Sequence, residues 1–132
     1  MPLVKDVLNI LQGVLLYLYL SCLIIKTHIM KFKTHNDNIP FISGWLQGQI
    51  IADYKELKKL FGKPTKGDEY KVDAEWEILF EDGSYATIYN WKDGKNYNGK
   101  SGTPITKITD WHIGGENKNA IPHIESLLLG LR

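Results

Sequence analysis

The chain has 132 residues, 43% apolar and 23% charged, which is the size of one ordinary domain and too apolar for a disordered chain. Its 16 basic and 15 acidic residues leave a formal net charge of +1, so no global field steers it toward nucleic acid or an anionic membrane. The single cysteine, Cys22, excludes an intrachain disulfide and a Cys-rich zinc site, and it fits a reducing, cytoplasmic setting.

The N-terminal residues differ from everything after them. From Val7 to Ile25 the sequence VLNILQGVLLYLYLSCLII carries no charge, and at about 1.5 Å per residue it is long enough to cross roughly 30 Å of hydrocarbon. Lys26, Lys31 and Lys33 follow the run while Lys5 and Asp6 precede it, so a spanning helix would leave the C-terminal domain in the cytoplasm. No small-residue cleavage pattern follows, which speaks against a cleaved signal peptide. Residues 1–29 are therefore an apolar segment with three open readings: an extension upstream of Met30, a membrane anchor, or a buried helix carrying Asn9, Gln12 and Gly13. Residues 39–132 read as a single domain.

SGWLQGQII, residues 43–51, reads as a strand with an irregularity at a glycine. Asp53 and Glu56 then have the spacing of a capping box, and Tyr54, Leu57, Leu60 and Phe61 share one helical face until Gly62 and Pro64 stop the helix. In AEWEILFEDGSYATIYNW, residues 74–91, Asp82 and Gly83 predict a two-residue turn. That turn sets Phe80 opposite Tyr85, Ile78 opposite Thr87 and Trp76 opposite Tyr89, and it makes Trp76, Ile78, Phe80, Tyr85 and Tyr89 a core face.

Residues 91–104, WKDGKNYNGKSGTP, read as a long mobile loop in which Trp91 and Tyr97 alternate with Lys92, Lys95 and Lys100. A third strand is expected over residues 105–113, with Trp111 and Ile113 on one face and Ile108, Asp110 and His112 on the other. Gly114 and Gly115 would then turn the backbone into a final helix whose stripe is Ile121, Ile124, Leu127 and Leu128, with Gly130 at its end. The expected fold is α+β: a small antiparallel sheet with two helices on one face, in the order β-α-β-β-β-α after the apolar segment.

The stretches LQGQI, LFGKPT, VDAEWEILFEDGSYATIYNWKDGKNY and ITDWHIGG together resemble small uncharacterised proteins of bacteriophages and large DNA viruses. The resemblance runs from about Trp45 to Leu128, implies a viral or virus-derived origin, and imports no activity.

Two candidate sites follow from the residues. Asp110 and His112, if their face lies beside Glu75 and Glu77, would gather carboxylates and an imidazole for acid–base work or a divalent ion. Gly114 and Gly115, at a helix start, could present free amides to an anion, with Trp91, Tyr97 and Lys95 supplying stacking and charge. Neither motif demands a cofactor or a metal. The functional expectation is a viral accessory binding module for a host macromolecule or small anionic ligand. The alternatives are a metal-assisted hydrolase or nuclease, and a membrane-tethered adaptor.

Overall fold

The computed structural model describes residues 2–27 and 30–132. In chain order the elements are α1 (Pro2–Thr27), β1 (Phe32–Thr34), β2 (Trp45–Ile51), α2 (Tyr54–Phe61), β3 (Glu75–Phe80), β4 (Tyr85–Tyr89), α3 (Lys95–Asn98), β5 (Asp110–Gly115) and α4 (Ala120–Leu131). The strands form one antiparallel sheet in the order β1-β3-β4-β5-β2. Helices α2 and α4 pack on one face, as an α+β fold requires. The strand β1 is an addition to the expected order. Phe32 on it meets Phe61 and Phe80 edge to face at 5.2 and 6.0 Å, so Met30 and Phe32 also pack against the core of the domain.

Two tryptophans hold the core together. Trp76 and Trp111, both fully buried, meet edge to face at 5.3 Å beneath Tyr54. Each indole N–H donates to a backbone carbonyl at one end of α2: Trp111 to Ala52 at 3.0 Å, and Trp76 to Gly62 at 2.8 Å. Two buried polar donors are thereby satisfied, and the helix is fixed against the sheet at both ends. The expected capping box is present, with the Asp53 amide donating to Glu56 Oε1 at 2.9 Å. The expected irregularity in β2 is also present: Leu46 pairs with Gly114 and Gly48 with Ile113, so Gln47 is an extra residue in the strand.

The hairpin differs from expectation by one residue. The Phe80 amide donates to the Ser84 carbonyl at 2.9 Å and the Gly83 amide to the Phe80 carbonyl at 3.0 Å. The connection is thus a three-residue loop, with Gly83 at φ +89° in the left-handed position such a loop needs. Trp76 now faces Ile88 and Ile78 faces Ala86. Because side chains alternate, the shift exchanges the faces of β4: Ala86 and Ile88 enter the core, while Tyr85 and Tyr89 pass to the opposite side.

Three further expectations are corrected. Residues 92–104 form a folded segment closed by the Thr103 amide bonding to the Asp93 carbonyl at 2.9 Å. Residues 105–107 are a 3-10 turn that buries Ile108, so β5 starts only at Asp110. Helix α4 runs through Gly130 to Leu131. Every described side chain of α1 from Val4 to Leu20 is exposed, so over these residues the helix is not a core element.

The register can be tested by stability. Ile88→Ala is expected to cost about 2–5 kcal/mol in a urea titration, the range for emptying a buried aliphatic site, and Tyr85→Ala clearly less. The reverse order would restore the two-residue turn.

Candidate functional site on the open sheet face

The face of the sheet opposite the helices carries a continuous row of polar and aromatic side chains. Register places Glu75 on β3 beside Tyr89 on β4, Tyr89 beside His112 on β5, and His112 beside Gln49 on β2. The Gln49 amide donates to His112 Nε2 at 3.2 Å. Tyr89, Trp91 and His112 form a ring cluster: Tyr89 meets Trp91 at 6.1 Å and His112 at 5.6 Å, and the His112 ring lies stacked on Trp91 at 6.5 Å.

Above this row the chain between Pro40 and Gly44 arches across the face. Ile42 is buried beneath it, and its amide donates to Glu77 Oε1 at 3.3 Å. Between this arch and the turn at residues 68–72 lies a groove of about 420 Å³, lined by Phe41, Asp68, Glu75, Thr87, Tyr89 and Trp91 among others. Burial, followed by the neighbouring charges of Glu77 and Asp68, raises the Glu75 carboxyl above its ordinary pKa. Burial and Glu75 likewise raise Tyr89. Asp68 behaves in the opposite way: its Oδ1 accepts the amides of Tyr70, Lys71 and Val72, each at 2.9 Å, and these bonds outweigh burial to lower its pKa.

One rim of the groove is built by a buried amide. Asn90 is fully buried; its Oδ1 accepts from the Asp73 and Ala74 amides at 2.7 and 3.1 Å, and its Nδ2 donates to Asp73 and Asp93 at 2.8 and 2.9 Å. Next to it, Lys92 sits in the left-handed region at φ +59°, which a non-glycine residue adopts only when held. Its amide donates to the Lys71 carbonyl at 2.8 Å, and its carbonyl accepts from the Asn98 side chain at 2.8 Å. In consequence Lys92 Nζ lies between Trp91 and Tyr97, 5.6 and 5.7 Å from the ring centres. Lys71 Nζ lies 5.3 Å from Trp91 and 5.7 Å from Tyr70, and Tyr70 packs on Tyr97 at 5.5 Å.

The structure therefore joins some of the expected site residues and separates others. Trp91 and Tyr97 share one ridge, 39% and 41% exposed. Lys95 instead lines a separate hollow of about 500 Å³ with Lys66, Glu69, Asp73 and Asn96, where opposite charges face one another and the Asp73 oxygens are engaged by Asn90 and the Asn96 amide. Glu75 and His112 share a face, yet Tyr89 stands between them, and two strand spacings set them roughly 10 Å apart. Asp110 is exposed at the start of β5. Among the described residues no three His, Cys, Asp or Glu side chains gather as a metal set would require.

Gly114 and Gly115 lie inside β5, paired with Leu46 and Trp45, and α4 begins only at Ala120. Their role is close approach. A Cβ on Gly114 would come within 2.6 Å of Thr87 Oγ1, and one on Gly44 within 2.5 Å of the Gly115 backbone. The helix-start amides assumed for an anion cradle are thus not at these glycines. Sequence reasoning missed Tyr89, Thr87, Asp68 and Phe41 as site residues. The Glu-Asp-Gly tripeptide at residues 81–83 permits the longer hairpin loop and would have moved Tyr89 to the open face; Asp68 and Phe41 carry no comparable local signal.

Comparison with known proteins returns no matching protein family, no matching curated protein and no matching solved structure.

The strained carboxyl makes a pH prediction. With the folded pKa of Glu75 above its ordinary value near 4.5, the folded state holds its proton longer than the unfolded chain, so stability falls as pH rises from about 4.5 through the folded pKa. Glu75→Gln is expected to raise the Tm at pH 7, with the gain shrinking as pH approaches 4.5. A gain independent of pH would show that the carboxyl is not strained.

Proposed function

We propose that this protein is a small binding module that holds its ligand or partner in the groove on the open sheet face. The carrying observation is the division of labour between the two faces. Helices α2 and α4 cover one, while the other collects Tyr89, Trp91 and Glu75 beneath the arch at residues 40–44. The groove, at about 420 Å³, has the size of a small-molecule or side-chain pocket, and mixes aromatic walls with a few polar groups. A desolvated carboxyl within such a groove is a physical mark of a functional site. The resemblance of the four sequence stretches supports a viral or virus-derived origin and names no partner; a host macromolecule or a small ligand is the occupant this reading assigns to the groove. Amide NMR shifts during a fragment screen are expected to cluster at Thr87, Tyr89 and Trp91; hits spread evenly over both faces would remove the reading.

A tethered form of the module is the second reading, favoured by α1. This helix has 26 residues, its apolar window from Val4 to Ser21 has a mean hydropathy of 1.2, and none of that window is buried in the protein. Apolar surface of that extent is stable when lipid covers it. The full chain is expected to float with neutral phospholipid vesicles in a density gradient, and a chain starting at Met30 to remain below, since among the described residues every core residue lies from Met30 onward. A full chain that stays at the bottom as a monomer would remove the tether.

A further inference from the structure

The geometry points to an alkylammonium group as the occupant of the open-face groove, held by the rings of Phe41, Tyr89 and Trp91 and by the carboxylates of Glu75 and Asp68. This deepens the binding reading above and rests on it. The only charged side chains lining the groove, among the described residues, are those two acids. Three of the lining residues are aromatic, and a ring face attracts a cation through its quadrupole. Phe41 is 87% exposed at the lip, where a guest would cover it.

The chain already supplies an internal example of the interaction. Lys71 Nζ lies 5.3 Å from the Trp91 ring centre and Lys92 Nζ 5.6 Å, so this indole accepts ammonium groups. The lysines sit on the ridge, outside the set that lines the groove. The charged and titratable groups facing Glu75 are Glu77 on its own strand, Asp68 on the turn and Tyr89 on β4, while Lys71 acts on Asp68. A guest cation would relieve the repulsion among the three carboxylates, a gain that a guest anion could not obtain.

Two charge-removing substitutions make opposite predictions for a cation and an anion. In Glu75→Gln a cation loses one of the two acids that line the groove; in Lys71→Met it loses a competitor for the Trp91 ring and for Asp68. The probes are butylammonium chloride and inorganic phosphate, titrated into the full chain in non-ionic detergent at constant ionic strength, with the Trp91 indole and Tyr89 ring signals followed by NMR. Butylammonium is expected to bind saturably, about tenfold more weakly to Glu75→Gln and several-fold more tightly to Lys71→Met. Trp91→Ala is expected to abolish the response while leaving the Tm within a few degrees. A capped peptide with one lysine that binds more tightly than butylammonium assigns the source to a protein partner, and equal binding assigns it to a free amine. Saturable phosphate binding with the two effects reversed would overturn the cation and leave the groove as the binding site. Silence of both probes at Thr87, Tyr89 and Trp91 would overturn the cation, and fragment hits elsewhere would overturn the groove with it.

Discussion

The buried amide of Asn90 is the constraint on which the rest of the domain depends. A fully desolvated carboxamide is tolerable only when its donors and acceptor are paired, and here it makes four bonds to Asp73, Ala74 and Asp93. Asp73 and Ala74 stand immediately before β3, Asn90 itself immediately after β4 and Asp93 on the segment that follows, so one side chain ties together the open ends of both hairpin strands. The direction of the chain beyond β4 follows from it: Trp91 is delivered to the ridge, and Lys92 takes its left-handed backbone against Lys71. The folded segment at residues 92–104 is anchored through the same node, because Asp73 also receives the Asn96 amide at 3.2 Å. Packing of the tryptophan pair supplies hydrophobic driving force; the amide network determines what the open face presents.

How much could be read in advance divides along physical lines. Local chemistry was legible wherever it decides alone. Asp53 and Glu56 cap α2, Ile124, Leu127 and Leu128 line α4, and the Asp-Gly pair reverses the chain between two strands. What depends on a difference of one residue was not. Glu81, Asp82 and Gly83 can close a hairpin with either two or three residues in the loop, and the alternation of side chains turns that small difference into an exchange of faces. Tyr89 thus moved from the core to the site by register alone. The short strand β1 pairs three residues with β3, too few for any periodicity to reveal.

The candidate site shows the same division. Trp91 and Tyr97 were legible as an aromatic pair in a glycine-punctuated segment, and they do share a ridge. Lys95, two residues from Tyr97, was not separable by sequence from Lys92, yet the one-turn helix α3 directs it to another hollow. Asp110, His112, Glu75 and Glu77 were correctly placed on the open side, but strand order was invisible, and β4 lies between the two pairs. Gly114 and Gly115 signalled a backbone requirement without its nature: the neighbour they admit is the protein's own Thr87 and the Gly44 segment.

The extra residue Gln47 has a bearing on how this protein behaves in a crowded solution. LQGQI, residues 46–50, reads almost the same in both directions and carries no charge, on a strand at the margin of the sheet. A copy approaching antiparallel about Gly48 would set Leu46 against Ile50, like against like, and could extend the sheet from one molecule into the next. The bulge breaks that symmetry. It leaves Leu46 on the side of Thr87 while Ile50 is buried beneath the helices, so the two ends of the palindrome no longer share a face. A sequence that invites stacking of molecules is thus disarmed by a single inserted glutamine.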